Sequence, residues 1–330
     1  MKKYFGKLCL GGVLLFSLSM SLTSCDPYLD DILGEWSRPT PGGGSSSDET
    51  TPTMKATPLT FEVLTDGTIT VTNPKGDMYY KINDGAKVDL TAGVSATIDV
   101  TKDDKVEFYG TATSYYGTTF GGTADMKVYG NIMSLLSPTG FADNKTLTAN
   151  GTFGQLFFSY TNLKDASNLF LPAETLTSNC YAFMFSSCSN LTTAPALPAE
   201  TLTEACYYEM FSGCSSLTTA PALPAETLKG YCYYGMFAGC SSLTTAPKLP
   251  APTLANFCYH GMFYGCTGLK DAYVKAAFVN TNDECTDMFN GCTAIGAKLH
   301  TTSDHKASWD NMMGSTKTWS TWTAVDDWTD

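Results

Sequence analysis

The sequence predicts an α/β chain in which a solenoid of about six 26-residue turns follows a small antiparallel β-sandwich. Two observations carry this. Nearly identical text recurs at even spacing, CYYEMFSGCSSLTTAPALPAETL from Cys206 and CYYGMFAGCSSLTTAPKLPAPTL from Cys232, and a repeat of this length marks a solenoid. Upstream of it, short segments alternate apolar and polar residues with period two, the pattern of half-buried strands.

Residues 1–24 read as an address. Lys2, Lys3 and Lys7 form a basic start, Leu8 to Leu22 is apolar, and Leu22-Thr23-Ser24-Cys25 closes the run. The run is shorter than the ~20 residues of a bilayer span. This segment resembles the lipobox of bacterial lipoproteins. The resemblance implies cleavage before Cys25, lipid on its sulfur, and an outer membrane lipoprotein of a Gram-negative bacterium exposed on the cell surface. Residues 25–57, acidic at first and then rich in Gly, Ser and Pro, have little to bury and read as a tether.

Between 58 and 130, LTFEV, TITVT, MYYKI, TIDVT, KVEFYG and MKVYG are separated by the turn formers DG, NPKGD, NDG, KDD and GTTFGG. About seven short strands without a helical stretch point to a small Ig-like sandwich, read as a platform for the repeats. The net charge of -12 removes the general attraction to phosphates on which nucleic-acid binding rests.

The repeats fill 131–300. Copies open at Cys180, Cys206, Cys232 and Cys258, and a shortened one at Cys285. A leading copy is legible where Thr152 stands for the first cysteine, Leu156-Phe157 for Met-Phe, Tyr160 for the second cysteine and Leu163 for the recurrent leucine. At 100° per residue, a helix over 232–240 gathers Cys232, Tyr233, Met236, Phe237 and Cys240 on an inward arc and turns Tyr234, Gly235 and Ala238 outward. The Thr pair beyond it suits a strand of about three residues, since Pro247 and Pro250 remove ladder donors. The tail, 301–330, holds Trp309, Trp319, Trp322 and Trp328, large aromatics fit to cover the open end of the last turn.

The succession Cys232, Met236-Phe237, Gly239-Cys240, Leu243, Leu249-Pro250 resembles the unit of BspA-type leucine-rich repeats. The resemblance spans residues 150 to 300 and implies a leucine-rich-repeat solenoid on a bacterial surface protein of a kind implicated in adhesion to host matrix or other cells. The chain departs from that unit in having Met where Ala is usual, a longer period, and Cys at the opening apolar position.

Two cysteines per copy in an exported chain suggest disulfides. A reduced ladder is the competing reading, because a continuous helix sets Cys232 and Cys240 roughly 12 Å apart, beyond the ~7 Å reach of a bridge. Their spacing does not match zinc sites, and no cofactor or metal is expected. The histidines are His260, His300 and His305; HTTSDH reads as a solvated loop, not a catalytic motif, and the chain is not read as an enzyme. Glu174, Glu200 and Glu226 share one register as a wet edge.

The expected function is adhesion, as a monomer, to a protein partner such as a host matrix protein or another cell surface. A glycan-binding accessory lipoprotein and a structural surface component are the alternatives. Candidate binding residues are an outward column of Tyr208, Tyr234 and His260 and a polar row of Thr193, Thr219 and Thr245, with Cys25 the lipid anchor.

Overall fold

The computed structural model describes residues 51–315 and 322–329, all within one compact unit, 44–330. Residues 1–24, Cys25, the first part of the tether and Trp319 lie outside the described residues. The end of the tether does not stay extended: α1 (Thr51–Ala56) is helical, and Lys55 pairs with Asp143 at 3.1 Å.

Eight strands come next: β1 (Leu59–Val63), β2 (Gly67–Thr72), β3 (Tyr79–Ile82), β4 (Val88–Asp89), β5 (Ala96–Val100), β6 (Lys105–Tyr109), β7 (Thr119–Gly122) and β8 (Met126–Asn131). They form two antiparallel layers, β8-β1-β6-β3-β4 and β5-β2-β7. GTTFGG, expected as a turn, is β7, because Phe120 is needed in the core between the layers: its ring lies 4.8 Å from Phe61 and 4.7 Å from Phe108. The boundary expected at residue 130 is not a break. β9 (Leu163–Asp165) and β10 (Leu169–Phe170) from the leading copy join β8 in parallel, so the larger sheet has seven strands and no closed Ig-like sandwich ends there.

The predicted class, an α/β leucine-rich-repeat solenoid, is overturned. Regular structure among the described residues is carried by three sheets, and the only two α-helices, α1 and α2 (Ser303–Ser315), lie outside the repeats. The third sheet is parallel, β11 (Thr245–Leu249), β12 (Asp271–Val274), β13 (Ala297–His300) and β14 (Trp322–Val325), in that order. The chain is a sheet-rich fold with little helix.

The stretch between the two cysteines of a copy, where the spacing predicts a helix, is a ribbon of consecutive turns. In the copy from Cys206, the N–H groups of Cys206, Tyr208, Met210, Ser212 and Cys214 donate three residues back. Those of Ala205, Tyr207, Glu209, Phe211 and Gly213 donate instead to Gly230, Cys232, Tyr234, Met236 and Ala238 of the next copy. Every donor is thereby satisfied, half locally and half by the neighbour, as buried backbone requires. Ala205, Glu209 and Gly213 take left-handed φ of 53°, 47° and 76°, which breaks any helix at every fourth residue. A four-residue period still buries Cys206, Tyr207, Met210, Phe211 and Cys214, the same positions that a 3.6-residue period selects over so short a run.

The inward aromatics stack from copy to copy. Phe157, Phe185, Phe211, Phe237, Phe263 and Phe289 run with centroids 5.1 to 5.7 Å apart. Phe157 touches Phe61 and Phe120 at one end, and Phe289 meets Trp322 at 4.9 Å at the other. One aromatic spine therefore links the antiparallel layers to the last strand. At roughly 25 cal/mol per Å² of apolar surface, each such ring contributes about 2–3 kcal/mol.

The cysteines answer to the same geometry. The ten cysteines of the repeats, Cys180 to Cys292, are free and buried. The thiols of Cys188, Cys214, Cys240, Cys266 and Cys292 donate to the carbonyls of Phe157, Phe185, Phe211, Phe237 and Phe263 in the preceding copy, at 3.0 to 3.1 Å. Phe211 O also accepts the N–H of Cys214, so the thiol fills the second acceptor site of a carbonyl with one already used. A disulfide would remove that proton. The fifth copy is not shortened at its start: Tyr259 N–H donates to Glu284 O where Tyr233 N–H donates to Cys258 O. Glu284 thus holds the first cysteine's place and Cys285 the tyrosine's, and Cys258 ends the first column.

Candidate functional site

The turn ribbon decides what reaches the surface. In the copies from Cys206, Cys232 and Cys258, the side chain two residues after the first cysteine leaves the core beside a left-handed residue, and successive copies place these side chains in register. Tyr208 and Tyr234 stack at 4.6 Å with a 4° interplanar angle, and Tyr234 and His260 at 4.7 Å with 6°. That spacing is one strand separation. The expected column is brought together, but none of its members is fully exposed.

Two residues that sequence reasoning passed over join it. Tyr231 and Phe257, each preceding a first cysteine, stack at 4.7 Å and 5°, and they lean on Tyr234 and His260 at 6.0 and 5.7 Å. Phe183 closes the upper end against Tyr208 at 5.1 Å, tilted by 53°. The signal was present as an aromatic residue immediately before Cys232 and Cys258.

At the centre of this double ladder the ring faces are occupied by other rings. Tyr234 is covered on both sides, by Tyr208 and His260, so what the surface offers is ring edges and hydroxyls, not open faces. Burial, then the neighbouring Glu209 charge and Tyr234, holds the Tyr208 hydroxyl well above the usual tyrosine range. Partial burial likewise raises the Glu209 carboxyl, against the Tyr208 hydrogen bond that lowers it. A protonated, hydrogen-bonding edge beside a carboxylate is the result.

No family model, curated protein or solved structure matches this chain.

The threonine row lies elsewhere. Thr193 bridges Thr219 and Asp165 in parallel, and Thr245 pairs with Asp271. Thr193 is already engaged by Asp165, which leaves Thr219 and Thr245 as its exposed members. His300 is not in a loop but ends β13 and is 8% exposed; His305 stands in α2 with Nδ1 2.7 Å from Lys275 O. Trp309 and Trp322 are buried over the end of the stack, their indole N–H groups on Ala276 O and Cys292 O. Glu174 pairs with Lys145, and Glu200 and Glu226 are exposed. A groove of 590 Å³ on the seven-stranded sheet, between Glu62, Glu107, Lys105, Lys127 and Tyr129, mixes both charges without a converging set. Among the described residues no cluster of His, Cys, Asp and Glu could hold a metal, and no helix is long and apolar enough to cross a membrane.

Proposed function

We propose that this chain is a surface lipoprotein anchored through Cys25, and that it binds a protein partner through the edge of its aromatic ladder. The observation that carries the reading is the double stack itself, Tyr208-Tyr234-His260 beside Tyr231-Phe257. Tyr and His at an interface combine apolar area with a polar tip at low entropic cost. Repetition along the stack suits an extended surface better than a single small ligand. The same geometry argues against the glycan reading, because sugars bind aromatic residues through open ring faces and the central ring of the column, Tyr234, has none.

The experiment is an array of extracellular-matrix proteins, cell-surface proteins and glycans probed with the soluble protein. Binding to one or more proteins, with no glycan retained, supports the proposal. Retention by glycans alone overturns it.

A further inference from the structure

Three sets of tyrosines stack in this chain, and their surroundings differ. Tyr181, Tyr207, Tyr233 and Tyr259 run along the core at 5.7 to 6.2 Å and are at most 2% exposed. Tyr79 and Tyr109 stack at 4.9 Å on the larger sheet, with Lys87 Nζ 4.6 Å over the first ring and Lys81 Nζ 5.5 Å over the second. Tyr208 and Tyr234, both half-buried, stack at 4.6 Å and 4°. The Tyr208 hydroxyl donates to the Glu209 carboxylate, and the two tyrosine hydroxyls are hydrogen-bonded to one another. The ring carbons beside those hydroxyls therefore lie on the same side of the stack, facing each other across one strand separation.

These surroundings decide which pair gives up electrons. A phenol that loses an electron becomes strongly acidic, so its oxidation is easiest where a base takes the hydroxyl proton. Glu209 is that base at Tyr208. Tyr109 has a carboxylate too, Glu107 at 2.8 Å, but an ammonium over each ring of its pair opposes the positive charge that oxidation creates. The core tyrosines are closed to an oxidant.

We infer that Tyr208 and Tyr234 are a site of oxidative cross-linking, joined as a dityrosine when the protein meets hydrogen peroxide and a peroxidase. Each phenol gives up one electron and its hydroxyl proton, the proton of Tyr208 passing to Glu209 and that of Tyr234 to water. The two phenoxyl radicals pair through one ring carbon each, ortho to oxygen, and form a single C–C bond. The hydrogen on each joined carbon then moves to oxygen and restores both phenols. In sum, two electrons and two protons leave the pair and reduce one hydrogen peroxide to two waters. Tyr231, 6.0 Å from Tyr234 and tilted by 38°, is poorly aligned for the same coupling. The link staples the copies from Cys206 and Cys232 at the outer edge of the ladder. It needs no binding partner, so it is tested apart from the reading of that edge as a docking surface.

The test treats the whole protein, at low concentration, with hydrogen peroxide and a peroxidase, isolates the monomer by size exclusion, and follows dityrosine fluorescence and tryptic peptides by mass spectrometry. Cleavage after Lys229 parts Tyr208 from Tyr234, so the link joins peptides 165–229 and 230–248 with the loss of two hydrogens. We expect that joined species, with fragmentation placing the bond on Tyr208 and Tyr234. Tyr208→Phe and Tyr234→Phe, which keep the stack, should each abolish it. Glu209→Gln should slow its appearance by about tenfold or more, since a positioned base contributes about 10²–10⁴. A monomer without dityrosine, a link on Tyr79 and Tyr109 instead, or a joined species that persists in either phenylalanine variant would overturn the site. An unchanged rate in Glu209→Gln would overturn the role of its carboxylate.

Discussion

The buried thiols make the fold sensitive to alkali. Burial pushes Cys240 from 9.0 up to about 12, and Cys188, Cys206, Cys258 and Cys292 to about 12 as well. Burial also raises Cys180, Cys214, Cys232, Cys266 and Cys285. The folded thiols therefore stay protonated while those of the unfolded chain ionise above 9.0, so stability is intact below that pH and is lost progressively between it and about 12. A thiol that ionises only when unfolded costs about 0.8 kcal/mol at about pH 9.5 and about 1.4 kcal/mol at about pH 10. Ten such thiols sum to about 8 and about 14 kcal/mol, against a typical total stability of about 5–15 kcal/mol. Unfolding should therefore be abrupt, with a midpoint near pH 9.5–10 by this count. The assay is a pH titration monitored together by far-ultraviolet circular dichroism and thiolate absorbance, with the two transitions coincident. Thiolate appearing gradually near pH 9 while the dichroism stays native would refute the reasoning, as would a fold that persists unchanged beyond about pH 11.

The same packing sets other outcomes. Trp322→Ala opens the end of the phenylalanine spine and leaves Cys292 O without its indole donor; we expect a loss of about 3–5 kcal/mol, measured by denaturant unfolding. Alkylation in denaturant without reductant should modify all ten repeat cysteines, and mass spectrometry finding Cys232 linked to Cys240 would contradict the reduced ladder. Cys25→Ala should leave the precursor uncleaved or free the protein from the membrane fraction, read by fractionation and intact mass; processing and anchoring like the wild type would exclude the lipid anchor.

Much of the core was legible and the backbone was not. Periods of 3.6 and four residues coincide over nine positions, so the buried set Cys, Tyr, Met, Phe, Cys could be read while the helix inferred from it was wrong. Glycine at the left-handed positions, as in Gly235 and Gly239, hinted at turns, but Phe183 and Glu209 hold the same conformation without that mark. Cys285 misled because a cysteine in the tyrosine's place looks like a displaced first cysteine; Met288-Phe289 and Gly291-Cys292, one full period after Met262-Phe263 and Gly265-Cys266, already held the register that the hydrogen bonds between copies display. The candidate column was visible because duplication repeats its spacing, whereas Tyr231 and Phe257 were missed because they precede the cysteine taken as the start of the unit. Asp271 and Asp327 lie 29 and 27 residues from His300, a separation that shows as contact only after the copies stack.

The claim that the ladder's edge is the binding surface is tested most directly by one comparison. Tyr208→Phe with Tyr234→Phe keeps the stacked rings and removes the two hydroxyls, so the melting temperature should be little changed, unlike in alanine variants that would open the stack. With the protein partner identified on the array, surface plasmon resonance of this double variant should show affinity weakened about tenfold or more, at roughly 1 kcal/mol for each interfacial hydrogen bond lost. Affinity equal to that of the wild type would contradict the account and move the binding surface away from the ladder.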